Sequence, residues 1–165
     1  LLRDRGAATW LIGLTLSLFT LPMVVFAPRA GVIAQRRGPI AVVTISLTVA
    51  AFSTFAYGVS PLWLIIAISG IHAVADSFTM PANQVAVAIS SPPEQLAVGQ
   101  GLLGAVGLSV AAFSALVGAA VYDAYGRTVI FTATAVAMIL CLLLARQRWR
   151  ARPALADDVD APAGH

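Results

Sequence analysis

The sequence contains few charged residues. They make up only 10% of its 165 residues, whereas an ordinary soluble domain has about 25%. Hydrophobic residues make up 59% of the chain, and the mean hydropathy is +0.90. A water-soluble fold cannot bury so much apolar surface, so the composition excludes a soluble globular domain. It predicts an all-α, polytopic transmembrane helix bundle, because a helix satisfies its own backbone hydrogen bonds in lipid.

Cysteine is nearly absent and lysine is absent. The single cysteine, Cys141, lies in an apolar run, which excludes a disulfide within the chain and a thiolate metal cluster. All ten basic residues are arginines that lie mainly at the ends of apolar segments. The net charge of +3 therefore indicates membrane topology and not a nucleic-acid partner. We predict no metal and no cofactor, and we expect the lipid bilayer to be a partner.

Five apolar segments are long enough to cross a bilayer core, which needs about 20 helical residues. They lie near residues 8–32, 40–58, 62–89, 96–122 and 128–145. We predict a transmembrane half-bundle over residues 1–149 and a disordered cytoplasmic tail over residues 150–165, which are rich in Pro, Ala and Asp. The second and fifth segments carry few strongly polar side chains, so we expect both to face lipid.

The arginines predict the orientation of these segments. Seven fall on one side of the membrane and three on the other when the segments alternate in direction. Cytoplasmic loops carry the excess of arginine, so the amino end is predicted outside and the carboxyl end inside. The expected location is a cell membrane, plasma or inner, crossed several times. The larger set is Arg29, Arg36, Arg37, Arg146, Arg148, Arg150 and Arg152.

A short polar turn separates the first two segments, with glycines that favour a tight reversal and arginines that favour the cytoplasmic side. It contains Gly31, Gln35, Arg36, Arg37 and Gly38. This stretch resembles the conserved loop of the major facilitator superfamily of transporters. The resemblance implies two six-helix halves, of which this chain would be the carboxyl-terminal fragment. The missing amino-terminal half is then an expected partner, and the third segment is expected to line the substrate cavity.

The third segment is the exception to the general apolarity. At 100° per residue, His72, Asp76, Thr79 and Asn83 fall on one narrow stripe of a helix, and Gln84 is a further polar residue of the same segment. Asp76 lies roughly 21 Å along a membrane path of about 30 Å, a depth at which an acid is costly and usually functional. His72 is one turn away, so each residue can tune the protonation of the other. We predict that these five residues include substrate or proton-coupling contacts. The alternative is a polar pair that is buried and hydrogen-bonded to neighbouring helices, or solvated at a vestibule, and that exchanges no protons during transport.

The fourth segment carries small residues at four-residue spacing. Gly107, Ala111 and Ala115 form a ridge that would allow another helix to approach closely. We predict a helix-packing role for this ridge.

Three functions remain open. The favoured one is the carboxyl-terminal part of a secondary active transporter that moves a small-molecule substrate by alternating access, with proton-coupled, drug-type efflux as a candidate. A non-catalytic membrane scaffold or assembly subunit is the alternative. An intramembrane hydrolase, using Asp76 or a Ser69 and His72 pair, is the third. The chain has no Gly-x-Ser-x-Gly sequence, so we predict that it is not an enzyme.

Overall fold

The computed structural model describes residues 8–150, and all regular secondary structure in this part of the chain is helical, with no strand. The elements in chain order are α1 (Thr9–Arg37), α2 (Pro39–Val59), α3 (Leu62–Ser90), a single 3₁₀ turn (Pro93–Gln95) and α4 (Leu96–Arg150). The predicted all-α class is confirmed. The predicted tail falls almost wholly outside the described residues.

Four helices in the described part are long and apolar enough to cross a membrane. The fourth is far too long for a single crossing, because its 55 residues would extend about 83 Å as a straight helix. Gly126 interrupts it with a φ of 78° and a ψ of 174°, a conformation that glycine adopts without strain. We refer to the part of α4 before Gly126, residues 96–125, as α4N and to the part after it, residues 127–150, as α4C.

The turn between α1 and α2 is one residue long. Gly38 has a φ of 85°, and Pro39 is the first residue of α2. A glycine with positive φ commonly follows the end of a helix. Proline is common at the first position of the next helix, because an N–H group there would have no partner within the helix. We expected α1 to end near residue 32, but it continues to Arg37. Arg36 and Arg37 lie in its last turn, where the negative end of the helix dipole stabilises positive charge.

The helices meet through small side chains. α3 packs against α1 and α2, and α2 also packs against α4. Ala34 and Ala82 are fully buried and, with Val42, form a cluster that Ile33 and Phe78 cover. Small residues at such contacts let helix backbones approach closely. The core is therefore a set of close helix crossings with few large side chains at their centres.

α2 contributes more to this core than we predicted. Of the four candidate spans it has the largest buried share, 39% of its most apolar window. The expectation that it faces lipid is wrong for its buried side. For the other side, where Ile45 and Phe52 are exposed, it remains a prediction. Its buried side is a row of small residues. Their small volume lets another helix approach closely, and the Ser and Thr hydroxyls can bond to the backbone of their own helix. The row includes Ser46, Ala50, Ala51, Ser53, Thr54 and Gly58.

α4C runs antiparallel to α2. Near the carboxyl end of α2, Thr128 Oγ1 donates a 3.0 Å hydrogen bond to the Gly58 carbonyl. One turn earlier in α2, Thr54 Oγ1 lies 3.9 Å from Met138 Sδ, farther along α4C. Arg127 Nη1 also donates to the Ser60 carbonyl at 3.2 Å. These contacts fix Gly126 and the α2–α3 turn at the same end of the bundle.

α4N, in contrast, is exposed along most of its length. Near its start, Gln100 Nε2 donates a 2.9 Å hydrogen bond to the Gln84 carbonyl of α3. The predicted ridge of Gly107, Ala111 and Ala115 is exposed, and no described helix covers it. Its packing role remains a prediction, because the described helices do not supply a neighbour for it.

Candidate functional site

His72 is at the centre of the polar contacts between α2 and α3. Its Nδ1 lies 3.1 Å from Tyr57 Oη on α2, which is a hydrogen-bond distance. Its Nε2 lies 3.7 Å from Asp76 Oδ2, one turn along α3. The second distance allows an ion pair when the imidazole is protonated. The two ring nitrogens therefore face a hydroxyl and a carboxyl group, respectively.

Two aromatic rings from two other helices contact this imidazole, and a third ring packs against one of them. The Tyr57 ring stacks on it with a centroid distance of 5.6 Å, and the Phe19 ring of α1 meets its edge at 5.7 Å. Phe131 of α4C in turn contacts the edge of Tyr57 at 5.8 Å. Edge and offset contacts of this kind stabilise ring orientation. We call Phe19, Tyr57, His72 and Phe131 the aromatic cluster.

The two members of the polar pair differ in exposure. The side chain of His72 is 15% exposed, whereas that of Asp76 is 37% exposed. Tyr57 and Asp76 are the titratable groups that face the imidazole, since Phe19 and Phe131 supply only apolar rings. The Asp76 carboxyl group is thus the more accessible member of the pair, and the His72 imidazole is the more enclosed.

An open cleft of about 220 Å³ adjoins the aromatic cluster. Phe19, Tyr57 and Phe131 line it together with Thr15 and Ser69. The Ser69 hydroxyl donates a 2.8 Å hydrogen bond to the Ile65 carbonyl of its own helix. The Ser69 hydroxyl is therefore bonded to the backbone of its own helix.

The other residues of the predicted stripe have different surroundings. Thr79 Oγ1 donates a 2.8 Å hydrogen bond to Ser46 Oγ of α2, so it contributes to the helix contact. Asn83 is half-buried and the Gln84 side chain is exposed. The structure therefore brings His72 and Asp76 together and directs Thr79 toward α2. Substrate contact by Thr79, Asn83 or Gln84 remains a prediction.

Sequence reasoning missed Tyr57. It lies in the last turn of α2, on a different helix from the polar stripe that the sequence indicates. The available signal was a phenolic hydroxyl within an otherwise apolar span, where a buried Tyr usually finds a hydrogen-bond partner. The sequence did not reveal that this partner was His72, because the two residues are 15 positions apart on different helices.

The residues of the turn motif lie at one end of the bundle. Gly31, Gln35, Arg36 and Arg37 belong to the last turns of α1, and Gly38 forms the turn itself. Arg36 and Arg37 are exposed. Arg146 and Arg148 of α4C belong to the same end, because Arg146 lies beside the first turn of α2. We call this the arginine end.

Together, the long apolar helices define a multi-pass helical membrane protein. The family model of the Major Facilitator Superfamily matches residues 1–164. The chain therefore belongs to this superfamily, as the motif resemblance predicted, and members of the superfamily are generally transporters and not enzymes. Searches among curated proteins and among solved structures gave no match.

Proposed function

We propose that the chain is the carboxyl-terminal part of a secondary transporter that moves a small solute by alternating access, with His72 and Asp76 as a proton-coupling pair. The observation that carries the proposal is the 3.7 Å separation of His72 Nε2 and Asp76 Oδ2 within an apolar, membrane-crossing helix. Ionisable groups at such depth are costly and generally serve ion or substrate movement. Drug-type efflux is the candidate direction.

The hydrogen-bond geometry supports two protonation states of the pair. With a neutral imidazole, the Tyr57 hydroxyl donates to Nδ1 and the Nε2–H group faces Asp76. With a protonated imidazole, Nδ1–H donates to the Tyr57 oxygen, and Nε2–H faces an ionised carboxylate. Tyr57 satisfies Nδ1 in both states, so the imidazole can gain or lose a proton without leaving an unpaired nitrogen there.

The proposed topology has five spans, with α4N and α4C crossing separately. Its support is the non-helical conformation of Gly126, the length of α4 and the antiparallel contact between α2 and α4C. The arginine end is proposed to be cytoplasmic, because loops on that side carry the excess of arginine. The amino end of the chain would then lie outside and the carboxyl end inside a plasma or inner membrane.

The proposed partner of α4N is the amino-terminal half of the same transporter. The exposed ridge of Gly107, Ala111 and Ala115 supports it, because small residues at four-residue spacing suit close helix contact. The solute site would then lie between the halves, and this chain would hold only part of it.

A membrane scaffold is the second candidate, and one observation favours it. Thr79 Oγ1 and Ser46 Oγ form a 2.8 Å bond between α3 and α2, so one member of the polar stripe holds helices together. If His72 and Asp76 served only the same purpose, replacing either would lower the stability of the bundle and leave any proton-driven movement of solute unchanged. That difference separates the two functions.

Infrared difference spectroscopy of the purified, reconstituted protein tests the proton-coupling pair without a known substrate. The pH is stepped through the range in which histidine titrates. We expect a protonated-carboxyl band that is lost in Asp76→Asn and retained in Asp123→Asn, since Asp123 is an exposed acid on α4N. Identical difference spectra from the wild-type protein and Asp76→Asn would contradict the proposal.

A further inference from the structure

Two apolar grooves lie side by side at the arginine end of α2. The first, of about 390 Å³, is formed by α1, α2 and α3, and the second, of about 400 Å³, by α2 and α4C. Both are lined by Ala41 and Ile45, so one stretch of α2 is the wall between them. The side chain of Ile45 is 67% exposed and stands between the two grooves.

Each groove ends at an arginine. Arg37, the last residue of α1, lines the first groove, and Arg146 of α4C lines the second. Both side chains are exposed. Neither guanidinium forms an ion pair within residues 8–150. The grooves therefore combine positive charge at one end, which no acid of residues 8–150 neutralises, with an apolar floor along the rest.

The first groove follows the direction of the helices. Its α2 lining runs from Ala41 to Val49, which is about 12 Å along the helix axis. Trp149 lines the second groove beside Arg146, and tryptophan is typical of the membrane interface. An acyl chain fits such a groove, because it runs parallel to the helices and carries no polar group that needs a partner.

From these observations we infer a binding site for one anionic phospholipid. Its phosphate contacts Arg37 and Arg146, and its two acyl chains lie in the two grooves on either side of Ile45. Guanidinium groups bind phosphate oxygens through paired hydrogen bonds, which favours a phosphodiester as the charged group. A lipid with net negative charge also neutralises the arginine end, whereas a zwitterionic lipid adds no net charge to it.

The natural fluorescence of Trp149 provides the test. The chain contains three tryptophans, so Trp10→Phe and Trp63→Phe leave Trp149 as the reporter within the second groove. The 165-residue chain is reconstituted in phosphatidylcholine vesicles that contain increasing fractions of dibrominated phosphatidylglycerol. A parallel series uses dibrominated phosphatidylcholine. Bromine quenches tryptophan on contact, so the two series give the relative binding constant of the anionic lipid.

We expect phosphatidylglycerol to be preferred over phosphatidylcholine at Trp149. Arg37→Gln and Arg146→Gln should each lower this preference by about 5-fold, the factor that corresponds to roughly 1 kcal/mol per arginine. Arg36→Gln is the matched control, because it removes the same charge from the neighbouring exposed residue, which lines neither groove. It should lower the preference by less than about 2-fold.

Two results would overturn the site. Equal quenching by the two lipids would show that the grooves do not select an anionic headgroup. An effect of Arg36→Gln as large as that of Arg37→Gln would show general attraction to a basic surface. A change in quenching with Arg37→Gln, which lies on a different helix from Trp149, supports one lipid that spans both grooves.

Discussion

α2 and α4N are both apolar helices with a row of small residues, yet the row is buried in one helix and exposed in the other. α2 buries its row against α3 and α4C, whereas α4N leaves Gly107, Ala111 and Ala115 exposed. The difference lies in the neighbours available to each helix and not in their composition. A small-residue ridge therefore indicates that a helix can be approached closely, while the approaching element must be identified from other evidence.

The largest expected effect comes from filling the close contact of α2. A Cβ atom at Gly58 would lie 3.3 Å from Phe131 Cβ and 3.4 Å from Thr128 Cα. Gly58→Leu should therefore destabilise the bundle by about 3 kcal/mol, the upper part of the range for overpacking. Gly107→Leu is the control, because nothing lies within 4 Å of a Cβ there. Denaturation of the two variants in detergent, followed by circular dichroism, measures the difference. Equal stabilities would show that the α2–α4C contact is loose.

The next prediction tests whether the ridge on α4N contacts the proposed amino-terminal half. Ala111→Trp should leave the stability of the 165-residue chain within about 1 kcal/mol of the wild type, since the ridge is exposed in it. In the complete transporter the same substitution should disrupt contact between the halves and strongly reduce transport. Crosslinking yields between the halves, compared with those of the control Val110→Trp on another face of α4N, check this expectation. Unchanged yields in Ala111→Trp would exclude the ridge as the contact.

A smaller effect is expected for the hydroxyl pair between α2 and α3. Thr79→Val and Ser46→Ala each remove the 2.8 Å bond, which should cost about 1 kcal/mol in a membrane protein. A double-mutant cycle gives the coupling between the two hydroxyls directly. Ser109→Ala serves as the control, because Ser109 is exposed on α4N. Additive losses in the cycle would mean that the two hydroxyls do not stabilise each other.

Local patterns in the sequence predicted the features that depend on neighbouring positions. The helical class follows from apolar length, and the approach of His72 to Asp76 follows from their four-residue spacing. The contact between Tyr57 and His72 could not be predicted, because it depends on how α2 packs on α3. The burial of α2 was missed for a related reason. A hydropathy scale measures how readily Ala, Ser and Gly leave water, whereas their role in α2 depends on the small volume of their side chains.

The smallest expected effect concerns the hydroxyl of Tyr57. Tyr57→Phe keeps the ring that stacks on His72 at 5.6 Å but removes the 3.1 Å contact with Nδ1. Protein stability should change by about 1 kcal/mol or less. The pH profile of transport should shift, because Nδ1 loses its partner in both protonation states and the loss is larger for the charged imidazole. Tyr125→Phe, at an exposed tyrosine of α4N, should leave the profile unchanged. A pH profile unaltered by Tyr57→Phe would limit Tyr57 to a packing role.

The central claim is that the pair on α3 couples transport to protons, and Asp76→Asn in the complete, reconstituted transporter tests it most directly. With tritiated tetraphenylphosphonium as the probe, we expect transport driven by a pH gradient to be lost in Asp76→Asn and retained in Asp123→Asn. Counterflow exchange, which requires no net proton movement, should survive in both. His72→Gln should shift the pH dependence without abolishing it. Transport by Asp76→Asn with an unchanged dependence on the pH gradient would contradict the claim.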